Sequence, residues 1–429
     1  MAPRIMKRNM RNTERKMIMM RRKGVFRVLT VLALTVCTSF AGELDLLVQE
    51  LVARGVIDAG RAQEILTLTE EEMRKELVKG TVPTLPGWVQ TLGLRGDFRF
   101  RNQWEKVEHD SLARLRQRVR FRLNGEANVS KSFKVGFGLA TGGNDPRSTN
   151  QTLDNSFETK TIMLDYAYGE YEVHQNVKIL FGKFYNNVGI WLPTDYMWDT
   201  DITLEGIAGL LKFRQLFLNA GVYFLDEKGK VKDVIRDNPR MLVFQPGFSL
   251  GQEGAYSIRS GVTYYHFNQT KGMAFDHAKW SNSFYSVGAD KYLANGFNNL
   301  VLAAEAGLYD KFLPYIGIFG EYNINLEAQA DTANSGMTAG IVLGTEKIKA
   351  PGQWQVRYQY RRLAKDAWLD FLPDADTYSG KTDVRGNEVS FLYGWAKNVI
   401  LGIDYYKIEN LQGKIVPETI WQFDINFKF

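Results

Sequence analysis

Hydrophobic and polar residues alternate with a period of two from Leu92 to the C-terminus. In TLGLRGDFRFRNQW, Leu92, Leu94, Phe98, Phe100 and Trp104 share one face, and Arg95, Asp97, Arg99, Arg101 and Gln103 share the other. From Ala113, ARLRQRVRFRLNGEANV sets Arg114, Arg116, Arg118, Arg120 and Arg122 at two-residue spacing, with Leu115, Val119, Phe121 and Leu123 between them. GQWQVRYQYRR sets Trp354, Val356, Tyr358 and Tyr360 against Gln353, Gln355, Arg357, Gln359 and Arg361. WQFDINFKF ends the chain, with Trp421, Phe423, Ile425, Phe427 and Phe429 opposing Gln422, Asp424, Asn426 and Lys428. This period predicts strands, each with one apolar and one polar face.

About 16 such segments can be marked: near 92–104, 113–128, 134–142, 160–173, 177–186, 203–213, 215–225, 240–249, 255–267, 298–309, 313–326, 335–346, 353–363, 387–396, 399–408 and 418–429. The segment 177–186 does not alternate cleanly. The connections between segments alternate in length. Short ones include HQN (174–176), FRQ (213–215) and AKN (396–398); long ones fall near 143–159, 187–202, 226–239, 268–297 and 364–386. Tight turns at one end and long loops at the other belong to a membrane barrel and have no rationale in a soluble sandwich. The expected fold is all-β: a transmembrane antiparallel barrel, correct to within two strands of 16. Its apolar face meets lipid and its polar face lines a lumen.

Ahead of the barrel the pattern changes. Residues 42–80 read as a helical segment, with Leu44, Leu47, Val48 and Leu51 at helical spacing and Asp58 as the N-cap of a second helix. TVPTLPGW, within 81–90, reads as a linker. Residues 1–41 join a basic stretch to an apolar run, Val28 to Ala41, ending Ser-Phe-Ala before Gly42. This predicts a secretory leader cleaved after Ala41. The alternative is an anchor, for which the run is short. With an even strand count both barrel ends and the helical segment are expected in the periplasm.

The leader changes the reading of charge. It holds ten Lys and Arg against one acid, Glu14, a surplus of nine; subtracting that from +6 leaves −3 for the rest. The basic balance therefore does not point to nucleic acid. Beyond Cys37, within the leader, there is no cysteine, which excludes thiolate metal sites and cysteine nucleophiles. His109, His174, His266 and His277 form no ligand-spaced cluster, so no metal or cofactor is expected.

The arginine face is the main candidate for chemistry. Arg95, Arg99, Arg101, Arg114, Arg116, Arg118, Arg120 and Arg122 are expected to line the pore, while inward carboxylates (Asp165, Glu305, Glu321, Glu388, Asp404, Asp424) fall mostly on other strands. Separated signs would set a field across the lumen, and fixed charges are how pores select ions. The alternative is that the arginines pair with loop carboxylates and hold the loops. A second candidate is the acidic stretch Asp195, Asp199, Asp201 and Glu205 with Trp191 and Trp198. One reading folds it into the lumen as a constriction opposite the arginines; the other leaves it as an external loop binding calcium or saccharide.

KVGFGLATGGNDPRSTNQTLDNSF (134–157), GKFYNN (182–187), Trp191 and MWDTDITLEGIA (197–208) resemble the putative porin family of Gram-negative outer membranes. LRGDFRFR and LVARGVIDAGRAQEIL fit the same pattern, so the resemblance runs from about Leu44 to Phe429. One departure is NNVGIW, where the family often has Asn-Pro-Phe-Trp. The resemblance implies a β-barrel pore of the porin kind, homotrimeric, and names no solute. The C-terminal Phe429 resembles the signal read by the outer-membrane barrel assembly machinery. The expected function is passive diffusion of small hydrophilic solutes, anionic ones among them, through a channel in outer-membrane lipid, without catalysis. The alternatives are a plugged or adhesive barrel and an outer-membrane hydrolase; for the last, His266 lies on an apolar face with no evident partner.

Overall fold

The computed structural model describes residues 91–429 apart from 111, 228–229, 232–233, 236–237 and 330–332, and ahead of them 52, 58, 60–63, 67–68 and 89. The leader at 1–41 lies outside the described residues, as does most of 42–80 and of the linker at 81–90. Within 42–80, residues 52, 60–63 and 67–68 are helical. Asp58 caps the second helix, its Oδ1 accepting the Arg61 N–H at 2.9 Å. The chain divides into two units, Met1–Pro86 and Gly87–Phe429.

Gly87–Phe429 is a closed antiparallel barrel. Its first eight strands are β1 (Gly93–Val107), β2 (Arg114–Asn128), β3 (Phe133–Thr141), β4 (Ile162–His174), β5 (Val177–Tyr185), β6 (Thr203–Phe213), β7 (Leu216–Phe224) and β8 (Arg240–Gln252). The rest are β9 (Tyr256–Asn268), β10 (Phe297–Leu308), β11 (Tyr315–Asn325), β12 (Ser335–Gly344), β13 (Trp354–Leu363), β14 (Val384–Ala396), β15 (Val399–Asn410) and β16 (Glu418–Lys428). The main sheet counts 17 strands because a two-residue piece, Gln151–Thr152, adds to β2 from the loop after β3. β1 pairs with both β2 and β16. Lipid offers no water to an unpaired N–H or C=O, so a spanning sheet must close in this way.

The junction is tight. Gly96 N–H donates to the Phe429 carbonyl at 2.7 Å, and Phe429 N–H donates back to Gly96 at 3.0 Å. A Cβ on Gly96 would lie 2.5 Å from the Phe429 ring and 2.7 Å from the Arg122 carbonyl oxygen. Gly96→Val should therefore weaken closure by about 1–3 kcal/mol. The readout is the temperature at which the barrel loses its folded mobility on a denaturing gel, and an unchanged temperature contradicts this.

Connections at one end are mostly tight, such as 175–176, 214–215 and 397–398, while the other end carries 142–161, 186–202, 225–239, 269–296 and 364–383. Outward faces are apolar, with Leu300, Leu302, Ile318 and Phe423 exposed. Toward the loop end they finish in aromatics: Trp104 stands opposite Trp421, whose ring is 4.6 Å from that of Tyr405.

The core lies inside the barrel. Loops 186–202, 269–296 and 364–383 turn inward and pack against β5 to β13. The Trp368 ring meets Tyr265 at 5.0 Å, Phe267 at 5.2 Å and Trp198 at 5.7 Å, all of them buried. β5 alternates poorly for this reason: its inward Leu180 and Phe184 are apolar and belong to the same cluster. Buried inward amides hold the loops. Asn299 and Asn323 donate to the Ala367 carbonyl at 2.6 and 2.9 Å, and Asn325 donates to that of Asp366 at 2.8 Å. Gln245 bonds both the N–H and the C=O of Trp191.

Candidate functional site

With one side of the lumen filled by loops, open space remains along β1, β2 and β16. The register sets Arg99 opposite Arg120 and Arg101 opposite Arg118, so the two arginine rows share one inward face. The arginines have different surroundings. Arg101 is fully engaged: Nε and Nη2 donate to Asp424 at 2.8 Å each, and Nη1 to Asp376 at 2.8 Å. This fork-to-fork geometry with a second carboxylate makes Arg101 a structural tie. Arg95 bonds Glu126 at 2.7 Å near the turn end. Asp97 sits between Arg120 and Arg122, 2.8 Å from each. Arg116 pairs with Glu105 at 2.7 Å, and Arg99 donates to Asn150 at 2.7 Å with Asp424 3.6 Å away. Among the described residues Arg118 donates to Gln103 and Ser148 alone, at 3.3 and 3.1 Å. Among the described residues, neither Arg118 nor Arg114 has a carboxylate at ion-pair distance. The Nε groups of Arg99, Arg116 and Arg118 are buried with no protein acceptor.

The acidic stretch divides. Asp195 reaches Arg361 at 3.2 Å, and Thr194 and Tyr196 bond Glu321 and Asn323 on β11. Asp199 accepts the Ala375 N–H at 2.8 Å, while its own N–H donates to the Leu372 carbonyl, stitching loop 186–202 to loop 364–383. Asp201 accepts from Thr149 through N–H and hydroxyl, and lies 3.5 Å from Arg122. The loop thus lies inside the barrel, contrary to the reading that leaves it outside. Glu205 is not with the others. It falls on β6, exposed on the outward face beside Ile207, and pairs with Lys183 at 2.7 Å.

Two cavities flank this meeting point. One, of about 270 Å3, is lined by Arg99, Arg114, Arg116, Arg118 and Arg120 on one wall and by Asp199, Asp201, Asp374 and Asp376 on the other. The second, of about 370 Å3, lies toward the turn end between Arg95, Arg122 and Asn124 and the Tyr166–Tyr168–Tyr185 cluster. Both include Arg120, Thr200 and Asp201, so these residues form the partition between them.

The loop carboxylates have unlike proton affinities. Burial raises Asp199 well above the usual carboxylate range, and Asp374 and Asp201 add to the rise. Burial, then Asp195 and Asp376, pushes Asp374 up to about 7. For Asp201 burial is outweighed by Arg120 and Arg122, and for Asp376 by Arg101 and Arg118, so both are held low. At neutral pH the acids against the arginine wall carry charge, while those between the loops tend to hold protons. A carboxyl raised in the folded state stabilises most below its unfolded value, near 4, and that contribution is lost as pH rises to about 7. Raising the pH from 5 to 8 should therefore loosen the seam between the loops and add negative charge beside the pathway. A unit charge about 10 Å from an ion in water is worth ~0.4 kcal/mol, a factor of about two. Because the charge acts oppositely on the two ions, the anion-to-cation permeability ratio should fall by about fourfold, and Asp374→Asn should flatten the dependence. Reversal potentials at the two pH values measure it.

The family described as putative porin matches residues 109–299 and 290–429, three quarters of the chain. The chain belongs to the putative porin family. The high-pH structure of Pseudomonas putida OprB shares its fold, with a TM-score of 0.53 at 11% identity over 83% of this chain and 96% of that one. A loop-deletion mutant of Vibrio cholerae OmpT (TM-score 0.47, 10% identity, 79% of this chain and 100% of that one) is also similar. So is a triple mutant of the Rhodopseudomonas blastica porin, at 0.44, 11%, 79% and 100%. No curated protein matches. Family and fold make this chain an outer-membrane porin barrel. His266, the residue weighed for catalysis, lies on β9 with Nδ1 2.5 Å from Asn298 Oδ1.

Proposed function

We propose that this porin passes small hydrophilic anions by passive diffusion along the arginine wall of β1 and β2, through the partition at Arg120, Thr200 and Asp201. The observation that carries the reading is the state of Arg114 and Arg118. They line the cavity of about 270 Å3 with no protein carboxylate at ion-pair distance among the described residues. A guanidinium always carries charge and presents several donors, which suits phosphate and carboxylate groups. Ions pass a pore when binding is favourable enough to enter and weak enough to leave. The many partnered arginines lower the depth of the well without neutralising the wall. Neither catalysis nor a cofactor is part of this reading.

Export by the leader at 1–41, a periplasmic segment at 42–80, the linker at 81–90, engagement of the assembly machinery through Phe429 and a homotrimeric state complete the proposal. The trimer rests on the resemblance alone, and native mass spectrometry of the extracted porin measures it. The channel itself is tested with residues 42–429 refolded in detergent and inserted in a planar bilayer under a salt gradient. Steady conductance steps with a reversal potential favouring chloride are expected. Steps favouring potassium would return the arginines to loop tethering, and silent folded barrels would favour the plugged or adhesive alternative.

A further inference from the structure

We propose that the outward face at the loop end of β13, β14, β15, β16 and β1 is a docking site for the phosphate groups of the outer leaflet's phosphorylated diglucosamine lipid. The strand register assembles it. Arg362 stands opposite Arg385, and Arg385 opposite Glu409. One pair nearer the membrane centre, Lys407 stands between Asn387 and Thr419, and Thr419 is opposite Lys106. The inward neighbours Arg361, Tyr406 and Ile408 are buried in the lumen, which turns this row outward.

The next pair inward is the aromatic belt of Tyr405, Trp421 and Trp104. Aromatics of this kind sit at the membrane–water interface. The cations therefore fall at headgroup depth, on the leaflet that the long loops face.

The local acids do not neutralise the row. Arg385 pairs with Glu409 at 2.7 Å, while Glu108 follows Lys106 and Asp383 precedes β14. Among the described residues, Arg362, Lys407 and Lys106 have no carboxylate at ion-pair distance. Two arginines directly opposite on one face repel. A phosphate lying across them relieves that repulsion and accepts from both planar forks. The same end of β5 and β6 lacks such a surplus, because Lys183 is neutralised by Glu205.

This site depends on the barrel lying in the outer membrane and is independent of what crosses the lumen. The test is native mass spectrometry of the detergent-folded porin titrated with the bisphosphorylated diglucosamine lipid or its dephosphorylated form. The triple variant Arg362→Gln, Arg385→Gln, Lys407→Gln should weaken binding of the phosphorylated lipid by about fivefold for each cation lost, about a hundredfold together. Lys183→Gln should change nothing. Unchanged heat mobility on a gel and unchanged channel conductance would show that the triple variant is folded. Equal binding by wild type and triple variant overturns the site, as does equal binding of the dephosphorylated lipid. If phosphatidylglycerol in phosphatidylcholine vesicles competes as well as the phosphorylated glycolipid, the assignment to that lipid falls.

Discussion

Replacing Arg116, Arg118 and Arg120 together with serine should lower the porin's anion-to-cation permeability ratio by about sixtyfold. Each charge about 10 Å from a passing ion in water changes that ion's permeability by a factor of about two, in opposite directions for anion and cation, and so the ratio by about four. Arg116 and Arg120 also leave partners behind: Glu105 loses its ion pair at 2.7 Å, while Asp97 loses Arg120 and keeps Arg122 at 2.8 Å. Arg118→Ser alone is the cleaner change. Its donors meet Gln103 and Ser148, so no ion pair among the described residues is broken, and a shift of about fourfold in the ratio is expected. Because the Debye length is about 10 Å at 0.1 M, the contrast should grow as the bath is diluted. Folded triple-variant barrels with an unchanged reversal potential would remove the arginine wall from the pathway. Arg101 is left out of the set because its loss would strip Asp376 of its ion pair and leave the buried Asp424 with Arg99 alone, at 3.6 Å, damaging the barrel instead of the selectivity.

The strands were legible because one face of each meets lipid along most of its length, which imposes period two. The arginine rows were legible for the same reason, since a fixed period fixes the face. What period two could not reveal is which arginines are engaged. Arg101 and Arg118 look alike in sequence, yet are opposites in the barrel, because Asp424 and Asp376 arrive from positions distant in the chain. The inward loops were less visible still, since a loop has no period. Their signal was compositional: Trp191, Tyr196, Trp198, Trp368, Leu369 and Leu372 are too apolar for water-exposed connections, and each is buried. A second trace was the asparagines Asn299, Asn323 and Asn325, on inward faces where they hold loop carbonyls. Glu205 was grouped with Asp201 by proximity, but β6 begins at Thr203 and its alternation turns Glu205 away from the lumen.

Deleting residues 193–201 should raise single-channel conductance, because the segment occupies the lumen and does not project from it. Its loss would also remove Asp201, leaving Arg120 and Arg122 to share Asp97 and shifting selectivity further toward anions. The barrel should survive, since its closure rests on strand pairing from β1 to β16 that the segment does not enter. Two point variants separate the steric and electrostatic parts. Trp198→Ala empties a fully buried site against Trp368 and Tyr265, at a cost of about 3–5 kcal/mol. That is enough to free an inward loop while the surrounding sheet stays paired, so larger and noisier conductance steps should follow with Asp201 still present. Asp201→Asn keeps the loop seated and removes one charge, so step size should hold while the anion preference rises by about fourfold. If the deletion leaves step size unchanged in barrels that retain their heat mobility, solutes pass by a route that this loop does not border, and the partition at Arg120, Thr200 and Asp201 is not the throat.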